Sequence, residues 1–262
     1  MDGLAYLNGE FIPLRDAKIS IQAHVIHNGT AVFEGIRGYW NDSEQQLYLF
    51  RVKEHYQRLE NSAKTLLMKL PDSVERLCDI TAELLARQQA RADVYVRPVL
   101  YKSSEIIGPR LHGLDDGFFV YAIPFGKYLD ADQGVRCCVS SWRRICDSAM
   151  PVRCKISGAY VNSSLAKAEA QQNGYDEAIL LTEEGHVSEG SGENIFLVMN
   201  SQLITPSVTE DILPGITRDA VMRIAQKELG VATVERQVDR TELYAADEVF
   251  MTGTAAEVTP VV

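Results

Sequence analysis

The sequence predicts an α+β (mixed α/β) chain in two domains, and three observations carry that prediction. Short segments alternate apolar and polar residues, the period of half-buried strands, while longer ones repeat apolar residues every three or four positions, the period of amphipathic helices. In the second half, strands and helices follow one another in turn. Between the halves lies a short polar stretch, GKYLDADQ (126–133), which reads as a linker at about 127–133 between domains 1–126 and 134–262. A chain of 262 residues is long enough to bury a sizeable core.

The elements follow in order. LAYLNGEFIPL (4–14) alternates around Asn8-Gly9, a strong signal for a hairpin with a type I′ turn. Residues 47–50 (LYLF) read as a short strand. From Lys53 to Met68 the apolar residues Tyr56, Leu59, Ala63, Leu66 and Leu67 predict one amphipathic helix. Pro71-Asp72-Ser73 stops it and starts another, with Val74, Leu77, Leu84 and Leu85 on one face. Residues 93–101 and 117–124 are strands. In the second half, strands are expected at 135–141, 176–182, 194–199, 231–238 and 247–252, and helices at 160–172 and 217–229. Gly174 and Gly230 stand where a left-handed residue closes each helix.

Charge and cysteine usage remove several function classes. A formal net charge of −10 argues against nucleic acid and anionic membrane as partners. No run of 18 apolar residues is long enough to span a bilayer. The N-terminus lacks a basic segment followed by an apolar one, so it reads as a folded strand pair and not as a signal peptide. Five cysteines, an odd number without a C-x-x-C, fit reduced thiols in a cytoplasmic protein. The five histidines are scattered with no H-E-x-x-H, and no zinc-ligand spacing or P-loop occurs, so no metal is expected. Gly190-x-Gly192 lacks the third glycine of a dinucleotide fingerprint, because Ile195 occupies it. Glu75 and Glu83 read as solvated acids on a helix face.

Four spaced blocks remain: the run beginning at Lys155 (155–181), VSEGSGENIF (187–196), LPGITRD (213–219) and MTGTAAEVTP (251–260). Together they match the four demands of an aldehyde cofactor with a phosphate and a ring nitrogen, pyridoxal phosphate. The cofactor needs an amine for its aldehyde, and Lys155 is the candidate, with Arg153 two residues away as a cation that would lower its proton affinity. It needs a carboxylate beside its ring nitrogen, and Glu189 in the polar turn 188–194 is the candidate. Its phosphate suits a helix N-terminus such as the one opened by Gly215-Ile216-Thr217, or the small-residue turn Gly253-Thr254-Ala255-Ala256. Arg58 stands on the first long helix, and Arg37 and Arg97 interrupt apolar stretches, where arginine needs an acidic partner. Each residue alone has an ordinary reading: a surface lysine, a solvated loop acid, a plain helix cap, an exposed or edge-strand arginine. Their order along one chain is what points to a site.

FEGIRGY, HYQRLENSAK, YVRP, the Lys155 block, EGSGENIF, LPGITRD and ADEVFMTGTAAEVTP together resemble the fold type IV (class IV) pyridoxal-phosphate-dependent aminotransferases. The likeness is closest to the branched-chain amino acid aminotransferases and runs from about Tyr6 to Val262. It implies a small N-terminal α/β domain and a larger C-terminal pseudo-barrel domain. It implies that Lys155 forms the Schiff base and shuttles the proton, that Glu189 pairs with the pyridine nitrogen, and that Tyr160 bonds the ring hydroxyl. Arg58, Ile216, Thr217 and Thr254 are then expected to hold the phosphate. Substrate contacts are expected from Phe33, Arg37, Tyr95, Arg97, Tyr128, Thr254 and Ala255. The substrates implied are a branched-chain L-amino acid (Leu, Ile or Val) and 2-oxoglutarate, handled by a homodimer or higher homo-oligomer.

The chain departs from that family pattern in places. Asn28 stands where a tyrosine is usual, Phe125 where a tryptophan is frequent, and the 103–116 segment is shorter and more polar, with Arg110 as a further carboxylate reader. Relatives are expected to continue by some tens of residues beyond the position of Val262. These departures keep a second reading on the same fold: a D-amino acid or (R)-amine aminotransferase, or an aminodeoxychorismate lyase.

Overall fold

The structure is a computed structural model that describes residues 3–126, 128–129 and 133–262. Part of the expected 127–133 linker therefore lies outside the described residues. By contact the chain divides into two units: Met1–Gly126 with Cys154–Gly158, and Lys127–Arg153 with Ala159–Val262. The five residues around Lys155 thus group with the first unit, although the chain on either side of them groups with the second.

The first unit begins with β1 (Leu4–Leu7) and β2 (Glu10–Pro13), joined at Asn8 and Gly9, whose φ of 47° and 105° supply the two positive values a type I′ turn requires. α1 (His24–Asn28), β3 (Ala31–Phe33), β4 (Ile36–Asn41) and β5 (Gln46–Leu49) follow. α2 (Val52–Thr65) and α3 (Val74–Arg87) come next, then the long strands β6 (Val94–Lys102) and β7 (Asp116–Pro124). Among the described residues these seven strands form one sheet in the order β2-β1-β7-β6-β4-β5, with β3 also paired to β6. β6 and β7 are antiparallel over their whole length, from Val94↔Pro124 to Lys102↔Asp116. α3 starts where Ser73 accepts a hydrogen bond from Arg76 N, and it buries Leu77, Ile80, Leu84 and Leu85. Tyr56 of α2 and Thr81 of α3 share a buried 2.6 Å hydrogen bond.

α2 ends at Thr65, short of the Met68 that periodicity predicts. Leu67 takes a left-handed φ of 52° and is 61% exposed, while Met68 turns inward. The cause is Lys102, a fully buried lysine paired to Asp116 at 2.8 Å that also donates to Leu67 O at 2.9 Å. Lys69 N donates to the same carboxylate at 3.1 Å. A buried ammonium must be satisfied, and satisfying it pulls the chain off the helix axis.

The second unit contains β8 (Cys137–Arg143), α4 (Tyr160–Gln172), β9 (Glu177–Leu181), β10 (Val187–Gly190), β11 (Asn194–Met199) and β12 (Gln202–Pro206). α5 (Ile216–Leu229), β13 (Thr233–Arg236), α6 (Glu242–Ala245), β14 (Glu248–Gly253) and β15 (Glu257–Pro260) complete it. Among the described residues its strands form two sheets, β10-β9-β8 and β13-β12-β11-β14-β15. The alternation of β9 decides its packing: Ile179 and Leu181 join a cluster with Val187, Ile195, Leu197, Ile204, Val238 and Met251, while Ala178 and Leu180 meet Ala166 and Ala170 of α4. Gly230 closes α5 with φ 68°, as expected. The strands β3, β4, β10, β12 and β15 carry no clean alternation, being short or buried on both faces, and periodicity does not mark them. No helix of the described residues is long and apolar enough to cross a membrane.

Candidate active site

Lys155 lies in a short segment laid against β3. Its carbonyl accepts from Phe33 N at 3.1 Å, its N–H donates to Ser62 Oγ of α2 at 3.1 Å, and Ile156 bridges to Val32. The main chain is therefore pinned on both sides while the side chain stays half-buried. Lys155 Nζ sits 5.1 Å from the centre of the Phe33 ring, and the guanidinium carbon of Arg97 sits 4.6 Å from the same ring. Phe33 thus contacts two cations, each within the range where a ring face attracts positive charge. Arg153, the cation expected beside Lys155, instead pairs with Asp147 at 3.0 Å and bonds Val208 O at 3.1 Å.

The arginines that interrupt apolar stretches belong to the same unit as this lysine segment. Arg97 donates to Tyr95 Oη at 3.1 Å, and its Nε is buried without a hydrogen-bond partner. The Tyr95 hydroxyl lies so near Gly35 that a Cβ there would stand 1.8 Å from it, so Gly35 in FEGIRGY is needed for space. Arg37 of β4 is buried, donates to Gly126 O at 3.0 Å, and lies over the rings of Tyr39 and Phe125 at 5.4 and 5.1 Å. Phe125 in turn packs against Tyr95 with ring centres 5.0 Å apart. Arg58 is not an exposed helix arginine. It grips Glu34 with two hydrogen bonds, Nε to Oε1 at 2.6 Å and Nη2 to Oε2 at 2.8 Å. Burial alone would push the Glu34 carboxyl upward, but the charge and hydrogen bonds of Arg58, with a hydrogen bond from His55, hold it far below the usual range. Burial holds His55 below its ordinary value, and the charges of Arg58 and Lys155 act in the same direction against the pull of Glu34. Asn28 ends α1 by donating back to His24 O at 3.2 Å, and Arg110 is exposed.

Glu189 is the centre of the second unit's polar set. It does not lie in a solvated turn: Val187–Gly190 is a buried strand, because partners within the protein satisfy the Glu189 carboxylate. Arg144 Nη2 meets Oε1 at 2.8 Å, while Asn194 Nδ2 and Leu213 N both donate to Oε2 at 3.0 Å. Leu213 N belongs to the LPGITRD block, so Glu189 is tied to the approach to α5. At Gly215, which caps α5 without a side chain, an added Cβ would stand 2.0 Å from Asn194 Oδ1. Ile216 and Thr217 are the first helical residues, at the end where main-chain N–H groups favour an anion. The turn carrying Thr254 and Ala255 joins the two strands of a hairpin, β14 and β15. It lies beside the 190–193 turn, with a Cβ built on Gly253 3.5 Å from Glu193 Cγ and from Gly192 O. Tyr160 opens α4. Tyr128 is half exposed, with Lys167 Nζ 5.9 Å from its ring.

Beside that turn lies a second buried acid. Glu193 accepts from Gly192 N at 3.0 Å and is pushed up to about 8, first by burial and then by the nearby Glu177 charge. Glu177 is itself buried and paired with Lys167 at 2.5 Å.

The profile of the family described as amino-transferase class IV matches residues 31–262. The chain belongs to that family. A probable branched-chain-amino-acid aminotransferase of Aquifex aeolicus is 53% identical over 98% of this chain and 83% of its own length. The crystal structure of a branched-chain aminotransferase from the archaeon Thermoproteus uzoniensis, with norvaline, superposes with a TM-score of 0.96 at 45% identity, over 99% of this chain and 86% of that one. The branched-chain amino acid aminotransferase of Thermobaculum terrenum, crystallised in its pyridoxal-phosphate form, gives 0.94 at 40% identity, over 99% and 85%.

Within this class IV aminotransferase, the structure brings Lys155, Phe33, Arg97, Tyr95, Arg37 and Arg58 into one unit, and Glu189, Tyr160, Ile216, Thr217, Thr254, Ala255 and Tyr128 into the other. Sequence reasoning missed Glu34, His55, Arg144 and Asn194. Glu34 carried a usable signal, as an acid inside the apolar run AVFEGI. So did His55 and Arg58, three residues apart on one helix face.

Proposed function

We propose that this enzyme transfers the amino group of a branched-chain L-amino acid to 2-oxoglutarate, using pyridoxal 5'-phosphate held on Lys155. The observation that carries this reading is 53% identity to a probable branched-chain-amino-acid aminotransferase across 98% of the chain. The donor chemistry fits the cofactor. A lysine on a main chain pinned at both its N–H and its carbonyl suits the aldehyde, and a buried carboxylate suits a ring nitrogen. A helix opened by Gly215 suits a phosphate. When bound, the cofactor supplies an electrophilic aldehyde carbon and a ring that accepts electrons from the substrate's α-carbon.

In this reading Lys155 would hold the cofactor through Nζ, and the same amine would serve as the base that moves a proton at the amino acid's α-carbon. Glu189 keeps the ring nitrogen protonated, with Arg144 and Asn194 fixing its carboxylate plane. Tyr160 orients the ring hydroxyl, and Arg58, Ile216, Thr217 and Thr254 take the phosphate. Phe33, Tyr95, Tyr128 and Ala255 face the apolar side chain, and Arg37 and Arg97 read carboxylates. The buried Nε of Arg97, without a protein partner, supports a carboxylate there. The two contact units are read as the small and large domains of the fold, and the enzyme as a cytoplasmic homodimer, in keeping with five free cysteines.

The test is borohydride reduction of cofactor-saturated protein with peptide mapping, together with absorbance spectra on adding L-leucine. The expected results are a modified Lys155 and conversion of the cofactor band. Lys155→Ala is expected to lower turnover by on the order of a thousandfold or more. An unmodified Lys155, or no spectral response to L-leucine, L-isoleucine or L-valine, overturns the reading.

A further inference from the structure

Ser62 stands on α2 in HYQRLENSAK, on the face that buries His55, Tyr56, Leu59 and Ala63. It is 1% exposed. Helix formation does not explain a serine there, because alanine suits a helix better. A buried hydroxyl needs a partner, and this one is met from far along the chain: Lys155 N donates to Ser62 Oγ at 3.1 Å. A main-chain N–H only donates, so the serine oxygen is the acceptor. One turn further along α2, Thr65 Oγ1 lies 3.2 Å from Cys154 Sγ. Residues three apart share a helix face, so α2 meets two consecutive residues of the lysine segment.

The opposite side of the segment is held by main-chain contacts. Phe33 N donates to Lys155 O at 3.1 Å, Ile156 bridges to Val32, and Gly158 N donates to Gly29 O at 3.2 Å. Gly29 takes a left-handed φ of 63°, and a Cβ built on it would stand 2.9 Å from Gly158 Cα, so glycine is needed for this close approach. The hydrogen bonds among these contacts do not depend on side-chain identity. The contact to α2 does, because it needs a hydroxyl at position 62. Together they fix the main chain of Lys155 between β3 and α2. The lysine stem is flexible, so any freedom gained at its Cα adds to the freedom of Nζ and lowers the share of time it spends in reach of a reacting atom.

We propose that Ser62 is a positioning residue for the reaction: by holding the main chain of Lys155 it sets the arc through which Nζ reaches the cofactor aldehyde. The proposal rests on the reading of Lys155 as the cofactor-binding amine. In that step Nζ bonds to the aldehyde carbon, and the aldehyde oxygen leaves as water.

The experiment makes two measurements on the apoprotein. One is the rate of covalent capture of pyridoxal phosphate, followed by absorbance and borohydride trapping. The other is the equilibrium binding of pyridoxamine phosphate, which has the same ring and phosphate but no aldehyde. Wild type, S62A and S62T are compared. S62A is expected to slow capture about threefold to tenfold, the weight of one hydrogen bond, and to change pyridoxamine phosphate binding by less than about twofold. S62T keeps the hydroxyl and is expected to recover most of the rate. In a K155A background, S62A is expected to leave the binding of pyridoxal phosphate unchanged, because Ser62 acts through Lys155. Equal losses in capture rate and in pyridoxamine phosphate affinity would mean that Ser62 merely supports the fold and would overturn the proposal. A further loss of binding in the K155A background would overturn it too. If S62A does not fold, S62C, of similar size with a weaker acceptor, carries the same comparison. Lys155 left unmodified by borohydride in wild type signals failure of the functional reading. A modified Lys155 with an unchanged capture rate in S62A signals failure of this proposal alone.

Discussion

Glu189 and Arg144 are both 7% exposed at the side chain, and that burial gives their 2.8 Å contact its weight. Two charges taken from water offset their desolvation only while both are present. Arg144→Ala is therefore expected to destabilise the protein by about 3–5 kcal/mol, measured by equilibrium urea unfolding. A loss below about 1 kcal/mol would show that water or another cation compensates Glu189. The sequence marked Glu189 through the glycines around it, but nothing in it marked Arg144 as the partner. Strand alternation sends neighbouring residues to opposite faces, and only the strand's placement says which face meets the acid. Arg153 teaches the same lesson in reverse. Proximity in sequence to Lys155 suggested an electrostatic neighbour, yet Asp147 claims it, and Arg97 is the cation that shares the Phe33 ring.

The elements themselves were largely written in the sequence. The Asn8-Gly9 hairpin, α3 with its Ser73 cap, the β6–β7 pair and α5 with Gly230 all follow from periodicity and turn chemistry. Their ends and crossings were not. α2 stops at Thr65 because a buried lysine on a distant strand captures Leu67 O. α5 starts where it does partly because Asn194 stands against Gly215. The backbone φ of −72° at Gly215 is open to any residue, so space alone requires glycine there. Gly215→Ala is expected to cost about 1–3 kcal/mol in urea unfolding, since Asn194 must move and carry its hydrogen bond to Glu189 with it. Gly192→Ala, whose Cβ meets nothing within 4 Å, serves as control and is expected to cost clearly less.

For the molecule as a whole, buried titratable groups set how stability responds to pH. Glu34 and His55 have folded-state values below their ordinary 4.5 and 6.5. A carboxylate of that kind contributes stability above its unfolded value and loses it as pH falls through the folded one, and a histidine held neutral by burial does the same. Glu193 is the opposite case. Its value rises from 4.5 to about 8, so its contribution is complete below 4.5 and is lost as pH climbs towards about 8. Above the ordinary 6.5 of His55 and up to about 8, the alkaline limb of Glu193 stands alone among these three. The melting temperature of the wild type is expected to fall across that window, and that of Glu193→Gln to stay nearly level. Parallel profiles for the two proteins would show that Glu193 ionises normally.

By itself the sequence determined the mixed α/β class, the order of most elements, the family and the candidate residues of the site, because turn chemistry, periodicity and spaced motifs are local and survive in one dimension. The tertiary structure alone decided which groups hold those residues in place. Glu34, His55, Arg144 and Asn194 each act on a partner outside their own element, and a hydrogen bond between such residues depends on strand register and burial that no local pattern encodes.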